Sequence, residues 1–411
     1  MKKIVIIGGG AAGMAAAICA AETADNHITL IERQARVGRK LLSTGNGRCN
    51  LTNTGAALSN YHGAQSTFPA AALEAYPPAR VLDFFAQLGL KTVTEYGGRV
   101  YPASDHAGSV LDVLRLALER PNIELITGAA VESVRWEKSG GFTVAWADGS
   151  CRADCVIIAC GGCAGSKLGG VTDGYNLLQS LGHSRTALHP ALTQIRTVAD
   201  YPKALKGIRA DAGVCLLRGE TAFAKAQGDV LFTETGLSGT AVFEISRAAA
   251  TGGSGLSVSL TFTNESEAEL MEDLRARRAR WGALAANQIL TGAVQSRLGQ
   301  MLCKYSGISG GATVAEITDA QLTALTRAMR DFRLPVTGVS GFEAAQVTAG
   351  GIKTEEFDPR TMRSRLVPGL YACGEVLDVD GDCGGFNLQW AWSSALIAAE
   401  GITAYLSEVA P

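Results

Sequence analysis

The residues that most clearly carry chemistry stand at the start of the chain. Gly8, Gly10 and Gly13 follow an apolar run and open an alanine-rich stretch. In that spacing the first glycine permits a tight turn and the second lets backbone approach a pyrophosphate. The third lets a helix pack closely on a strand. A helix beginning at Ala11 and Ala12 offers unpaired N–H groups and a partial positive charge to phosphates. Glu32, followed by Arg33, ends the next apolar run about twenty residues on, where a carboxylate accepts from ribose hydroxyls. A carboxylate there repels a 2′-phosphate and disfavours NADP. Strand, glycine turn, helix, second strand and terminal acid in register predict a dinucleotide site, with FAD and NAD both open at this point.

A second constellation lies near the other end. Gly369–Ala372 leads into Cys373, Gly374 and Glu375, a buried strand delivering one carboxylate. It resembles the flavoprotein strand whose terminal acid binds a ribityl chain. Gly384, Gly385, Phe386, Asn387, Leu388 and Gln389 then open the last helix. A helix N-terminus aimed at a flavin N1/C2 carbonyl stabilises the anion formed on reduction.

The intervening elements must position these two ends. Lys2–Ile7 and Ile28–Ile31 read as strands buried on both faces, with a helix over 11–23 between them. Lys2 and Lys3 before an apolar run imitate a leader peptide, but the glycine spacing favours strand, turn and helix. Residues 38–54 lack periodicity and read as a loop. Helices are expected over 79–88 and 109–118, and a strand over 123–126. Three alternating runs, 130–136, 142–146 and 151–154, are separated by Lys138-Ser139-Gly140-Gly141 and Ala147-Asp148-Gly149-Ser150. They predict a small antiparallel meander. It leads into an apolar strand, 156–159, ending at Ala159-Cys160-Gly161-Gly162. That order of elements resembles the glutathione-reductase-like FAD fold rather than a nicotinamide dehydrogenase.

Beyond residue 185 the texture changes. The expected organisation is a Rossmann-like α/β domain over 1–185 and 336–411. A β-rich, barrel-like insertion spans 186–264 and 305–335, and a small helical subdomain spans 265–304. A closing helix is expected over 390–406. Only one complete glycine fingerprint is present, so a second resident nicotinamide domain is not expected.

Composition narrows the class. The chain has 411 residues, 47% hydrophobic and 18% charged, with a formal net charge of -2. Basic residues are scattered, so no nucleic-acid or membrane surface is predicted. No run reaches the ~18 apolar residues of a membrane span. The ten cysteines form no disulfide framework and read as reduced thiols of a cytoplasmic protein.

The run from Gly38 to Asn53, GRKLLSTGNGRCNLTN, is the most distinctive in the chain. Together with Gln346–Gly351, Leu377–Gly381 and Asn387–Ser394, it resembles a bacterial flavoprotein family. That family comprises aminoacetone-oxidase-like FAD-binding enzymes and 3-dehydro-bile-acid ene-reductases. The resemblance covers the whole chain. It implies one non-covalent FAD held by both ends, with the loop Gly45–Asn50 wrapping the flavin through backbone amides and Asn side chains. The candidate cofactor contacts are Gly8, Gly10, Ala11, Ala12, Gly13, Glu32, Arg33, Lys40, Gly45, Asn46, Gly47, Arg48, Cys49, Asn50, Val131, Ala159, Gly161, Gly374, Glu375, Gly385, Asn387, Leu388 and Gln389. This chain departs from the family pattern at Cys160, Lys167, Phe386 and Ala395, where Thr, Pro, Tyr and Gly are usual. Those departures bear on flavin-ring contacts and substrate choice.

Cys160 and Cys163 have the spacing of a redox dithiol, but packing roles are favoured over it. No Cys/His cluster has zinc-ligand spacing, so no metal is expected. His27, His62, His106, His183 and His189 stand isolated and read as structural. His189, Arg48 and Tyr101 remain substrate-proximal candidates: an Arg to polarise a carbonyl, a Tyr to donate a proton. The resemblance implies hydride chemistry at flavin N5, with NAD(P)H as a transient donor and an activated C=C of an enone as acceptor. Amine oxidation with O₂ uses the same parts. A non-catalytic FAD-binding or RNA-modification-associated protein is the third reading. Oligomeric state is not legible.

Overall fold

The structure, a computed structural model, describes residues 1–137 and 140–408. Lys2–Ile7 forms strand β1, helix α1 spans Ala11–Ala20, and strand β2 spans Asn26–Glu32. β1 and β2 pair in parallel, with Ile4 opposite Ile28 and Ile7 opposite Ile31. From Ile4 on, β1 is fully buried, because its β-branched run has no polar face to offer water.

Five parallel strands make the sheet, in the order Leu370–Ala372, Cys155–Ile158, β1, β2, Ile123–Thr127. Both ends of the chain therefore enter one sheet. The alanine-rich α1 lets the closing helix, Phe386–Glu408, pack directly on it. Two tryptophans anchor that closing helix. Trp390 and Trp392 are fully buried, and their indole N–H groups donate to Gly374 O at 3.1 Å and Leu51 O at 2.9 Å. With the polar edge satisfied, each ring contributes its whole area; truncation to Ala costs about 3–5 kcal/mol.

The expected meander is present as Val131–Trp136, Phe142–Trp146 and Gly149–Ala153. Lys138 and Ser139 of its first expected turn lie outside the described residues. The segment 38–54 is less irregular than its sequence suggests. It holds a 3-10 turn, Leu41–Gly47, interrupted by left-handed Gly45 and Asn46, and a short strand, Thr52–Asn53, paired with Arg99–Pro102.

The chain divides into two compact units, Met1–His189 with Gln346–Pro411, and Pro190–Ala345. The second unit contains a closed six-stranded antiparallel barrel. Its last strand, Phe332–Val339, runs past residue 335, where the sequence reading ended the insertion. Pro335 and Gly338 break the alternation there and give the strand the glycine-rich look of the first unit. Helix Thr240–Thr251 buries Ala241, Val242 and Ile245 in the same core; sequence reading did not single it out. Helices Glu267–Arg280, Ser296–Tyr305 and Asp319–Arg330 pack together, and the third also packs on the barrel strands Leu256–Thr261 and Phe332–Val339.

Candidate functional site

The N-terminal glycines make a bare backbone surface. Gly10 caps α1 without a side-chain hydrogen bond, and the first turn carries no acid. A Cβ on Gly10 meets nothing within 4 Å, whereas one on Gly13 falls 1.8 Å from Gly8 O. Gly13 is thus fixed by close helix–strand approach, and Gly10 leaves its backbone open. Glu32 is buried at the end of β2. Its carboxylate accepts the N–H groups of Gly9 and Gln34, both at 2.7 Å. These bonds tie the acid to the glycine turn and leave lone pairs on each oxygen for a diol. Ala159 N–H donates to Ile7 O at 2.8 Å, placing the neighbouring strand end beside the same turn. Ala129 N–H donates to Glu32 O at 3.0 Å, which brings the start of the meander, and Val131 just after it, to the end of β2. Arg33 pairs with Asp173 at 3.3 Å instead of standing free.

Glu375 is the hub of a second group. Lys40 Nζ donates to its Oε2 at 2.8 Å, and Thr348 N–H donates to its Oε1 at 2.8 Å. Thr348 Oγ1 in turn accepts Ala164 N–H at 3.0 Å. A Cβ on Gly162 falls 2.5 Å from Thr348 Oγ1 and 2.8 Å from Glu375 Oε1. The segment Gln346–Gly351, noted in the sequence without a role, supplies this orienting amide. Gly374 N–H donates to Ser394 Oγ at 2.9 Å, joining the hub to the closing helix.

The third group surrounds the loop that opens the closing helix. Asn387 brackets Gly381, its Oδ1 accepting Gly381 N–H and its Nδ2 donating to Gly381 O, both at 2.8 Å. Asn53 Nδ2 donates to Gly384 O at 3.1 Å. Gly385 has φ +99°, and a Cβ there falls 2.6 Å from Thr52 O and 2.8 Å from Asn50 Oδ1. That Asn50 oxygen is buried with no hydrogen-bond partner among the described residues. A buried acceptor without a donor is costly unless a ligand supplies one. Open helix-terminal amides, a strand-end acid on the glycine turn, a lysine-paired carboxylate and this orphaned acceptor all fit FAD, which carries phosphates, hydroxyls and ring N–H.

Other candidates are placed differently. Gln389 is fully buried and its side chain is already engaged. It accepts from Thr52 Oγ1 and donates to Tyr76 O at 2.9 Å and Ser393 Oγ at 2.8 Å. Leu388 is half-buried on the first turn of the closing helix. Arg48 binds Asp105 and Glu95, the latter at 2.5 Å, and lies 4.0 Å over the Tyr101 ring. Two carboxylates engage its guanidinium. Burial pushes the Tyr101 phenol up, with Arg99 and Arg48 pulling it back. Its ring approaches a Cβ position on Gly45 at 3.5 Å. Cys49, with φ +61°, is buried and its thiol is pushed up to about 12. Asn46 and Gly47 are also left-handed and bend the loop around it.

The thiols of Cys160 and Cys163 engage separate carbonyls, Ile7 O at 3.4 Å and Val171 O at 3.9 Å. Burial raises both, Cys160 to about 12, so neither is a ready nucleophile. Gly161 has φ +69° with open space around its Cβ position.

Three histidines isolated in sequence are not isolated in space. His106 Nδ1 accepts Gly108 N–H at 3.1 Å and caps a helix. His183 is buried between Glu356 at 2.9 Å and Ser364 at 3.0 Å. His62 Nε2 lies 2.7 Å from Asp382 Oδ1. Nothing around His62 in sequence announces that last pair. The alternating acids Asp378, Asp380 and Asp382 were the available signal. His189 is half-buried at the end of its unit's first segment. Among the described residues no group of three or more His, Cys, Asp or Glu is placed to hold a metal, and no helix is long and apolar enough to cross a membrane.

Comparison with known proteins agrees with this geometry. The HI0933-like protein Rossmann domain family matches residues 2–401. A 3-dehydro-bile acid delta(4,6)-reductase from Clostridium scindens is 40% identical, over 97% of this chain and 98% of its own length. A ribosomal RNA dihydrouridine synthase from Escherichia coli is 30% identical over the same shares. A 3-ketosteroid delta1-dehydrogenase from Sterolibacterium denitrificans has a TM-score of 0.53 at 13% identity, covering 98% of this chain and 100% of its own. That likeness concerns the fold. The chain belongs to the HI0933-like FAD-binding Rossmann family and is a flavin-dependent oxidoreductase.

Proposed function

We propose that the protein reduces a carbon–carbon double bond conjugated to a carbonyl, in a steroid-like or other small enone. The observation carrying this is full-length similarity to two enzymes whose names describe one kind of chemistry. A 3-oxo compound unsaturated at positions 4 and 6 is a conjugated dienone. Dihydrouridine arises by saturating the 5,6 double bond of uracil beside its 4-carbonyl. Both accept hydride at the β carbon and a proton at the α carbon. FAD supplies the hydride chemistry when bound.

The chain's own residues have the holding roles. The amides at the start of α1, with Gly8, Gly10 and Gly13, take the pyrophosphate, and Glu32 takes the ribose. Lys40 and Thr348 fix Glu375 toward the ribityl chain. Asn50 and the Gly385 backbone meet the ring. This is a two-dinucleotide-binding-type arrangement reduced to one resident dinucleotide, since the middle of the chain is a barrel rather than a second βαβ unit. NAD(P)H therefore acts as a transient donor. Across 190–345, Lys and Arg balance Asp and Glu almost one for one, so the segment carries no large net positive charge of the kind that draws RNA. This favours a small molecule over RNA.

The test is a visible spectrum of the purified protein, titrated anaerobically with NADH and NADPH and then with a 3-oxo-4-ene steroid. Bleaching of the flavin bands by a nicotinamide and recovery with the enone is expected. Bleaching by an amine with recovery only in air overturns the reading.

A further inference from the structure

We propose that His62 is the proton donor of the reaction, with Asp382 as its positioning residue. The inference rests on the enone-reductase reading. That reaction needs a proton at the α carbon, and two of the three residues suggested by sequence, Arg48 and Tyr101, supply it poorly. Arg48 is held by two carboxylates and keeps its proton at any working pH. Tyr101 is a weaker acid than a free phenol because of burial. His62 has the required chemistry: imidazole gives and regains a proton under mild conditions.

The geometry is that of an oriented acid. Nε2 of His62 is 2.7 Å from Asp382 Oδ1, and the two side chains are 37% and 33% exposed, so solvent reaches the dyad. Asp382 is fixed in turn: Asn60 Nδ2 donates to its Oδ2 at 3.2 Å, and its own N–H donates to Asn60 O at 2.9 Å. The strand Tyr61–His62 pairs antiparallel with Asp380–Gly381, placing Asp380 opposite His62. Asp378 Oδ2 accepts Ala64 N–H at 3.1 Å. Asp382 is the acid paired with the imidazole, Asp380 stands opposite His62 across the strand pair, and Asp378 holds the backbone two residues on. With Nε2 turned to Asp382, Nδ1 is the ring nitrogen left to give the proton.

The dyad also stands beside the loop that opens the closing helix. Asp382 directly precedes Cys383–Gly385, the loop over Asn50 and Thr52 that opens the closing helix. Tyr61 Oη donates to Phe386 O at 3.1 Å, fastening the strand that carries His62 to that helix's first residue. In the step, a two-electron donor of the reduced-flavin class delivers hydride to the β carbon. The C=C π pair moves to the α carbon and takes the Nδ1 proton of the His62 imidazolium. Neutral His62, still donating Nε2–H to Asp382, regains a proton from water.

The test uses holoprotein reduced with dithionite and mixed anaerobically with a 3-oxo-4,6-diene steroid acid, following return of the flavin band. His62→Gln keeps a donor to Asp382 but carries no transferable proton. It is expected to hold FAD as wild type does and to reoxidise about a hundredfold more slowly. The wild-type fall in rate at high pH should disappear in it. Asp382→Asn should reoxidise about tenfold more slowly with a displaced pH profile, while Tyr101→Phe stays within a fewfold. Equal rates and profiles in wild type and His62→Gln overturn the dyad alone. A wild-type protein that the dienone does not reoxidise overturns the enone reading and the dyad's role with it.

Discussion

The two ends of the cofactor cradle are built on opposite plans. At the N-terminal end the parts lie close in sequence: Gly9 and the Glu32 carboxylate that binds it are 23 residues apart. At the C-terminal end Lys40 reaches Glu375 across 335 residues, and His62 reaches Asp382 across 320. The first end is fixed by steric contact between backbones. The second is fixed by polar clamps brought together only when the closing helix docks on α1. A steric cradle fails abruptly when a methyl is added. A clamped one loses affinity in steps and responds to charge.

The largest effect should come from the steric end. Gly13→Ala places a carbon 1.8 Å from Gly8 O, and backbone rather than a side chain must give way. Overpacking of this kind costs about 3 kcal/mol or more. We expect protein purified largely without flavin and a lowered Tm, read from the ratio of visible to ultraviolet absorbance and from calorimetry. Gly385→Ala should do less. It has φ +99° and meets Thr52 O at 2.6 Å, in a loop that can shift. About 2 kcal/mol of strain is expected there. FAD binding, followed by flavin fluorescence quenching, should weaken about tenfold to thirtyfold while Tm of the apoprotein changes little. If Gly385→Ala proved the more damaging, the contrast between the two ends would be reversed.

Lys40→Met tests the clamp itself. It leaves Glu375 with the Thr348 amide but without its cation. A half-exposed pair is worth about 1 kcal/mol, so FAD affinity should fall several-fold. The difference from wild type should shrink in high salt. A salt-independent loss would mean that Lys40 acts by packing.

This contrast also explains what the sequence could reveal. β1, α1, β2 and the meander follow from runs of period and glycine spacing, which are local. The open backbone at Gly10 follows from the same spacing. The strand Leu370–Ala372 was legible as buried, but its place beside Cys155–Ile158 is a matter of topology. Gln389 illustrates the limit. Its position on the first turn of the closing helix points to a flavin contact, and the bonds by which its amide ties Thr52, Tyr76 and Ser393 together appear only in the structure. Helix position determines the face of a side chain and not its partner. The partners of Arg48 are equally out of reach of sequence, since Glu95 and Asp105 are more than forty residues from it.

His183 gives a pH handle on the clamped half. Desolvation lowers its pKa against the opposing pull of Glu356, so the folded protein prefers it neutral. A depressed folded pKa leaves stability intact above the unfolded value of about 6.5. Below it the unfolded chain binds the proton more readily, and stability is lost as pH falls through the folded value. The His183 pair with Ser364 also organises the N–H groups of Leu366 and Val367, which Ser364 Oγ accepts at 3.0 and 2.9 Å. His183→Gln should therefore lower Tm at pH 8 and flatten its decline between pH 7 and 5. A decline as steep as wild type would place the acid sensitivity elsewhere.

The smallest effect should come from the cysteine pair, where a polar clamp is absent. Cys160 donates to Ile7 O from a half-buried position, and a threonine hydroxyl can donate to the same carbonyl. Cys163 donates weakly to Val171 O at 3.9 Å. Cys160→Thr and Cys163→Ala should each stay within about 0.5 kcal/mol of wild type. With both thiols raised by burial, reduced holoprotein should transfer no electrons to a disulfide probe such as 5,5′-dithiobis(2-nitrobenzoate) through this pair. Flavin-dependent thiol release that vanished in Cys163→Ala would show a working dithiol and make the strand end at Ala159 part of the chemistry. An unchanged rate leaves it what the hydrogen bonds describe, a packed wall beside the glycine turn.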